Sequence, residues 1–278
     1  MPAESWIVTG PQIIEVDDVR AVRAALVGGR VDVVGRGEPG ARIEVHRVDG
    51  RPLEVSLQDG ELRVGYSFTL GGWEGFLDRL RDVRSTDAAD VHIAVHRDVA
   101  AKLGTVTAEG LLADVLQGAS VSTVSGALVT DGTHGVLVAN AVSGDLALRG
   151  HTGDLRAKSV SGAVTTSGSF GQSAVSTVSG AVTVDANRAS GISVSTVSGD
   201  VTVRLPADLG VTVSARSVSG RVVVDGQERL GDGPVRGSVD IATGDGACRL
   251  HVKTVSGHLT VLRGAPAAAP TAGPEGVA

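Results

Sequence analysis

Seven serines recur in one setting along this 278-residue chain, and a hydroxyl is the first group to weigh as a nucleophile. They are Ser125, Ser143, Ser161, Ser179, Ser198, Ser219 and Ser256, each between a valine and a glycine. The glycines are Gly126, Gly144, Gly162, Gly180, Gly199, Gly220 and Gly257. Nucleophilic catalysis needs one serine in a special environment with a base in hydrogen-bond reach. Seven equivalent hydroxyls fit a ladder that satisfies corner backbone groups instead. No Gly-x-Ser-x-Gly elbow is present, so no catalytic residue is assigned. His92 and His96 share a strand face, but four strand residues span about 13 Å, too far for both to reach one zinc ion at ~2 Å. A metal site would need a third ligand from another part of the fold. Asp145, Asp154 and Asp200 follow glycines and read as solubilising corner residues, with an acidic strip along one edge as the alternative. Cys248 is the only cysteine, which excludes a disulfide framework and a CxxC metal site. No cofactor and no metal are expected.

The elements that would position these groups follow from the spacing. Successive valines of the tripeptide, from Val124 to Val255, are separated by 18, 18, 18, 19, 21 and 37 residues. A fixed period of this length marks a repeat architecture, each unit burying its apolar face against its neighbours. Within a repeat, Ile192 and Val194 share one face before the tripeptide, and Val201 and Val203 share one after it. Period-two alternation of β-branched residues is the half-buried strand pattern. The Ser-Gly between them reads as a corner, with the glycine free to take positive φ. A weaker copy, His151-Thr152-Gly153-Asp154-Leu155, lies half a period along. The expected fold is all-β: a single-stranded β-solenoid of about 18-residue coils, two strands per coil, stacked at about 4.8 Å.

Residues 1–12 read as an N-terminal segment, 13–118 as a degenerate β part, 119–263 as regular repeats and 264–278 as an Ala/Pro/Gly-rich disordered tail. Strands are expected at Val19–Val27, Arg30–Val34, Ala41–Val48, Leu53–Leu57, Glu61–Tyr66 and Asp90–His96. Val27-Gly28-Gly29 matches the later corners, so the solenoid is expected to begin there; a separate small β-domain is the alternative. Trp73, Phe76, Leu77 and Leu80 fall on one stripe of an amphipathic helix over 73–84. That helix would cap a sheet edge, or dock a partner protein. The stretch from Gly226 to Gly237 reads as an insertion on one face. The last strand, His258 to Leu262, is expected to leave an exposed coil edge.

Net charge is −6 and no Lys/Arg run occurs, which argues against nucleic acid and anionic membrane as primary partners. No secretory leader and no membrane-spanning stretch is read, so a cytoplasmic location and no membrane insertion are expected.

The recurrent Val-Ser-Gly-(Asp)-Val-x-Val, with Val27-Gly28-Gly29-Arg30-Val31-Asp32-Val33 near the start, resembles a bacterial β-strand-repeat domain of unknown function, catalogued as a putative adhesin and called the toastrack domain. The resemblance runs from Ile13 to Arg263. It implies a right-handed β-helix, membership of a family with many members tied to envelope-stress systems, and no catalytic residues to carry over. The function expected is therefore a non-enzymatic scaffold or protein-binding module, adhesin-like, with a protein partner or itself as partner. The alternatives are a self-assembling cytoskeletal-type polymer and, more remotely, a carbohydrate-active enzyme. The last conflicts with the near-absence of sugar-stacking aromatics in the repeats.

Overall fold

In the computed structural model, residues 4–66, 87–230, 237–244 and 246–264 are described. Every regular element among them is a β-strand, and the strands pair into one continuous 23-stranded sheet. That sheet folds into two facing layers. The expected helix, with Trp73, Phe76, Leu77 and Leu80, lies outside the described residues.

The first layer begins with β1 (Glu4–Val8), β6 (Leu53–Gln58) and β7 (Glu61–Gly65), paired antiparallel. Parallel pairing follows through β3 (Ala21–Leu26), β9 (Ala100–Thr105), β11 (Ala119–Thr123) and β13 (His134–Ala141). It continues through the C-terminal halves of β14 (Leu146–Ser159), β15 (Val164–Thr177) and β16 (Val182–Ser195). Next come β22 (Cys248–Thr254) and β18 (Val211–Ser217), and antiparallel β21 (Gly237–Thr243) closes the layer.

The second layer opens with β2 (Gln12–Val16), β5 (Ala41–Asp49) and β8 (Ala88–His96), again antiparallel. Parallel strands β4 (Gly28–Arg36), β10 (Glu109–Ala113) and β12 (Leu128–Asp131) lead into the N-terminal halves of β14, β15 and β16. Then β17 (Val201–Pro206), β23 (Leu259–Gly264) and β19 (Val222–Val224) follow, and antiparallel β20 (Gln227–Leu230) ends it.

Apolar residues one coil apart stack into columns between the layers. Leu103, Val121, Ala139, Ala157, Val175, Val194, Val252 and Ala215 form one, all buried. Leu128, Leu146, Val164, Val182, Val201, Leu259 and Val222 form another. Layers about 10 Å apart leave room for Val, Leu and Ala but few aromatics, which accounts for the composition. A third column carries two polar flaws: Thr130 lies on one side of Leu148, and the Thr166 hydroxyl sits buried between Leu148 and Val184, neither with a hydrogen-bond partner among the described residues. Thr166→Val keeps the shape and removes that desolvated hydroxyl, so it is expected to stabilise the protein by about 1 kcal/mol in urea denaturation.

The coils do not stack in sequence order at either end. β3 and β4 lie between the β7/β8 and β9/β10 coils. At the other end β22 and β23, last in the chain, lie between the β16/β17 coil and the β18/β19 coil. The expected exposed edge at the last strand is therefore wrong. β23 has partners on both sides, because the chain skips one coil position after Pro206 and fills it on the way back. Of the stretch from Gly226 to Gly237, residues 231–236 lie outside the described residues. Strands β20 and β21 turn back antiparallel against the outermost coil and end the stack. Short, turned-back strands at both ends replace long open parallel edges, a known way to blunt edge pairing.

Candidate functional surfaces

The tripeptides form one corner ladder running along the rod. Ser143 N–H donates to Val124 O at 2.7 Å, Ser161 to Val142 O at 2.8 Å and Ser179 to Val160 O at 2.9 Å. Beyond them Ser198 donates to Val178 O, Ser256 to Val197 O and Ser219 to Val255 O, each at 2.9 Å. The last two links follow the spatial order of coils, not the sequence order. Hydroxyls repeat the pattern: Ser125 Oγ lies 3.2 Å from Val106 O, and Ser179 and Ser219 Oγ lie 3.3 Å from Val160 and Val255 O. These serines face solvent at equivalent corners, each spent on the coil before it.

The glycines are not there for positive φ, contrary to the expectation. None of the seven adopts it. What they avoid is a Cβ: one built on Gly162 would sit 1.9 Å from Gly144 O, and one on Gly257 2.0 Å from Gly199 O. Close stacking of coil on coil is the constraint.

A further residue of the motif escaped the sequence reading. Thr196 Oγ1 accepts the Gly199 N–H at 2.9 Å, and Thr177, Ser217 and Thr254 do the same for Gly180, Gly220 and Gly257. Thr123 and Ser159 instead donate to Gly126 O and Gly162 O, at 2.9 and 2.8 Å. The signal was present: Ser or Thr precedes every tripeptide except the one after Ala141. Thr196→Val leaves the buried Gly199 N–H without that acceptor, and a loss of about 1–2 kcal/mol is expected in urea denaturation.

The corner aspartates also have structural work. Asp145 Oδ1 accepts Ala163 N–H at 2.8 Å, Asp154 Oδ1 accepts Gln172 N–H and Asp200 Oδ1 accepts His258 N–H, both at 2.9 Å. They hold the next coil rather than forming a free acidic strip.

His92 and His96 lie on β8 as expected, and they do not converge on a third ligand. His92 stands in register with Asp32 and Glu44, while His96 Nδ1 accepts the Asp98 N–H at 3.3 Å. Among the described residues no three His, Cys, Asp or Glu side chains could hold a metal ion. Cys248 is buried, and burial pushes its thiol pKa up, which disfavours the reactive thiolate.

Two further groups were not foreseen. Buried Asp87 pairs with Arg51, 3.1 Å from Nε, and also accepts the Arg51 N–H. Beside it burial, then the Asp87 charge, raises the Tyr66 phenol to about 12. Tyr66 and Asp87 flank residues 67–86. At the N-terminal end a cleft of about 310 Å³ is lined by Glu4, Glu15, Asp17, Asp18 and Asp59, with Val16, Leu57 and Gly60.

The model of the Toastrack DUF4097 domain matches residues 53–262. The chain belongs to the toastrack family. No curated protein matches it. Solved structures similar to this toastrack chain include a putative lipid binding protein from Parabacteroides distasonis ATCC 8503, 9% identical with a TM-score of 0.48 over 91% of this chain and 97% of that one. Putative adhesins from Bacteroides fragilis NCTC 9343 and Parabacteroides merdae ATCC 43184 are 14% and 10% identical, each with a TM-score of 0.41. They cover 94% of this chain and 97% and 96% of their own. Among the described residues of the toastrack chain no helix is long and apolar enough to cross a membrane.

Proposed function

We propose that this toastrack chain is a non-enzymatic scaffold that presents rigid β faces to a protein partner. The observation that carries the reading is the fate of the repeat's polar groups. Serine N–H groups and aspartate side chains are committed to the neighbouring coil, threonine side chains to the glycine of their own corner, and the corners are equivalent rather than special. Binding of this kind is in keeping with the name adhesin given to two of the similar structures, and a link to envelope stress with the family resemblance.

The test is purification of the tagged protein from its host, with soluble and envelope fractions kept apart. A stoichiometric protein partner is expected, retained when Ser143, Ser161 and Ser179 are each replaced by alanine. Turnover of any substrate that is abolished by one such replacement would overturn the reading. End-to-end polymerisation is the weaker alternative, since β1, β2, β20 and β21 turn back across both ends of the stack. Sedimentation at high concentration is expected to show one discrete species.

A further inference from the structure

The two outer faces of the rod differ in how their charges are matched. On the second layer Arg30 pairs with Asp32, Arg42 with Glu15 and Glu44, Arg47 with Asp90 and Arg263 with Asp225. Arg149 lies in register with Asp131, and Arg204 with Asp185. That face is balanced.

The first layer is not. All three lysines of the chain, Lys102, Lys158 and Lys253, point outward from it. Arg23 is in register with Lys102, Arg156 shares a strand with Lys158, and Arg216 is in register with Lys253. None of these six side chains makes an ion pair among the described residues. Glu61 is tied to Arg63, and the other carboxylates on this face, Glu54, Asp154 and Asp240, are outnumbered by these six cations and Arg249. Three strand steps separate Lys102 from the coil of Arg156 and Lys158, and three more separate those from Lys253. The cations therefore form groups about 14 Å apart on a flat surface. The balanced face lies about 10 Å further back, beyond a physiological Debye length of about 8 Å. Local charge, not the net −6, governs what approaches this face.

A second observation sits on its rim. Two residues after Lys158, Lys253 and Arg216 come the corner valines Val160, Val255 and Val218, exposed at 45%, 47% and 39%. Val178 and Val197, both 48% exposed, complete a continuous apolar row between them.

We infer that the first-layer face is a peripheral docking surface for an anionic phospholipid bilayer, its cations meeting headgroup phosphates and its valine row entering the interface. Planar unpaired cations bordered by an apolar row match the paired electrostatic and hydrophobic signals of interfacial binding. A nucleic acid would use the cations but not the valines, and among the described residues the face shows no outward aromatic for base stacking. The inference is independent of the protein-partner reading, since its test contains no other protein.

That test is co-sedimentation of the full chain with phosphatidylglycerol/phosphatidylcholine vesicles and with pure phosphatidylcholine vesicles, at low and at about 0.5 M salt. Binding is expected to the anionic vesicles at low salt only. Arg156→Glu/Lys158→Glu/Lys253→Glu should weaken it on the order of 100-fold or more, and the milder Lys158→Gln/Lys253→Gln about tenfold or more. Val178→Ser/Val197→Ser should weaken it several-fold, and Arg149→Glu/Arg204→Glu on the other face should leave it unchanged. Absence of anionic-vesicle binding, equal binding to neutral vesicles, or equal loss in the other-face variant would overturn the inference. So would tighter binding to duplex DNA that the valine variants leave intact.

Discussion

Gly162→Ala is expected to destabilise the protein by at least about 3 kcal/mol, a fall in melting temperature of roughly 6–12 °C for a chain of this size. The added methyl would lie 1.9 Å from Gly144 O and 2.6 Å from its carbonyl carbon, both backbone atoms. No side chain can swing aside, so the two coils must part. Parting them strains the bonds that join this pair of coils: Ser161 N–H to Val142 O, Leu146 N–H to Ala163 O and Ala163 N–H to Asp145 Oδ1. The adjacent Ser179→Ala removes an exposed hydroxyl whose bond to Val160 O is long, at 3.3 Å, and should change stability by no more than about 0.5 kcal/mol. Thermal melts of the two variants side by side separate a ladder set by steric closeness from one set by hydroxyl bonding. Equal melting temperatures would refute the steric account.

That contrast also shows which part of the motif could be read from sequence. The spacing of Val-Ser-Gly fixed the coil length, and strands such as Leu53–Gln58, Glu61–Gly65 and Ala88–His96 lie where period-two alternation placed them. The stacking order could not be read in the same way. The corners at Val218 and Val255 carry the same Val-Ser-Gly, so the tripeptide does not say which of them follows Val197. Only the long steps of 21 and 37 residues hinted at the skipped coil. Charge placement was legible in principle. Lys158, Lys253 and Arg216 each stand two residues before a corner valine, the same phase of the strand, and so emerge on one face. Net charge and the search for a Lys/Arg run average that pattern away. Buried Asp87 and the antiparallel end strands depend on partners far along the chain, and composition carries no trace of them.

The same is true of His151, buried together with Thr133 one coil away, and the second large effect is expected there. His151 is 0% exposed. Its Nδ1 lies 3.0 Å from buried Thr133 Oγ1, its Nε2 lies 3.2 Å from Asp154 O, and its ring centroid is 6.2 Å from that of Phe170. Both ring nitrogens are engaged with oxygens of the protein. His151→Ala opens a cavity and strips Thr133 Oγ1 and Asp154 O of a partner, at a cost of about 3 kcal/mol near pH 8. The pH dependence has a definite sign. Burial lowers the His151 pKa, so the folded protein holds the ring neutral while the unfolded chain takes up a proton near the ordinary value of about 6.5. The unfolded state then binds more protons, and stability rises with pH across that window. The contribution is fully present above about pH 6.5 and is lost progressively as pH falls towards the folded-state value. Urea midpoints of the wild type should therefore drop between pH 7 and pH 5 more steeply than those of His151→Gln, which keeps polar atoms near Thr133 but does not titrate. Parallel slopes in the two proteins would mean that His151 takes up its proton equally well in the folded state, and that the core around Phe170 opens to water.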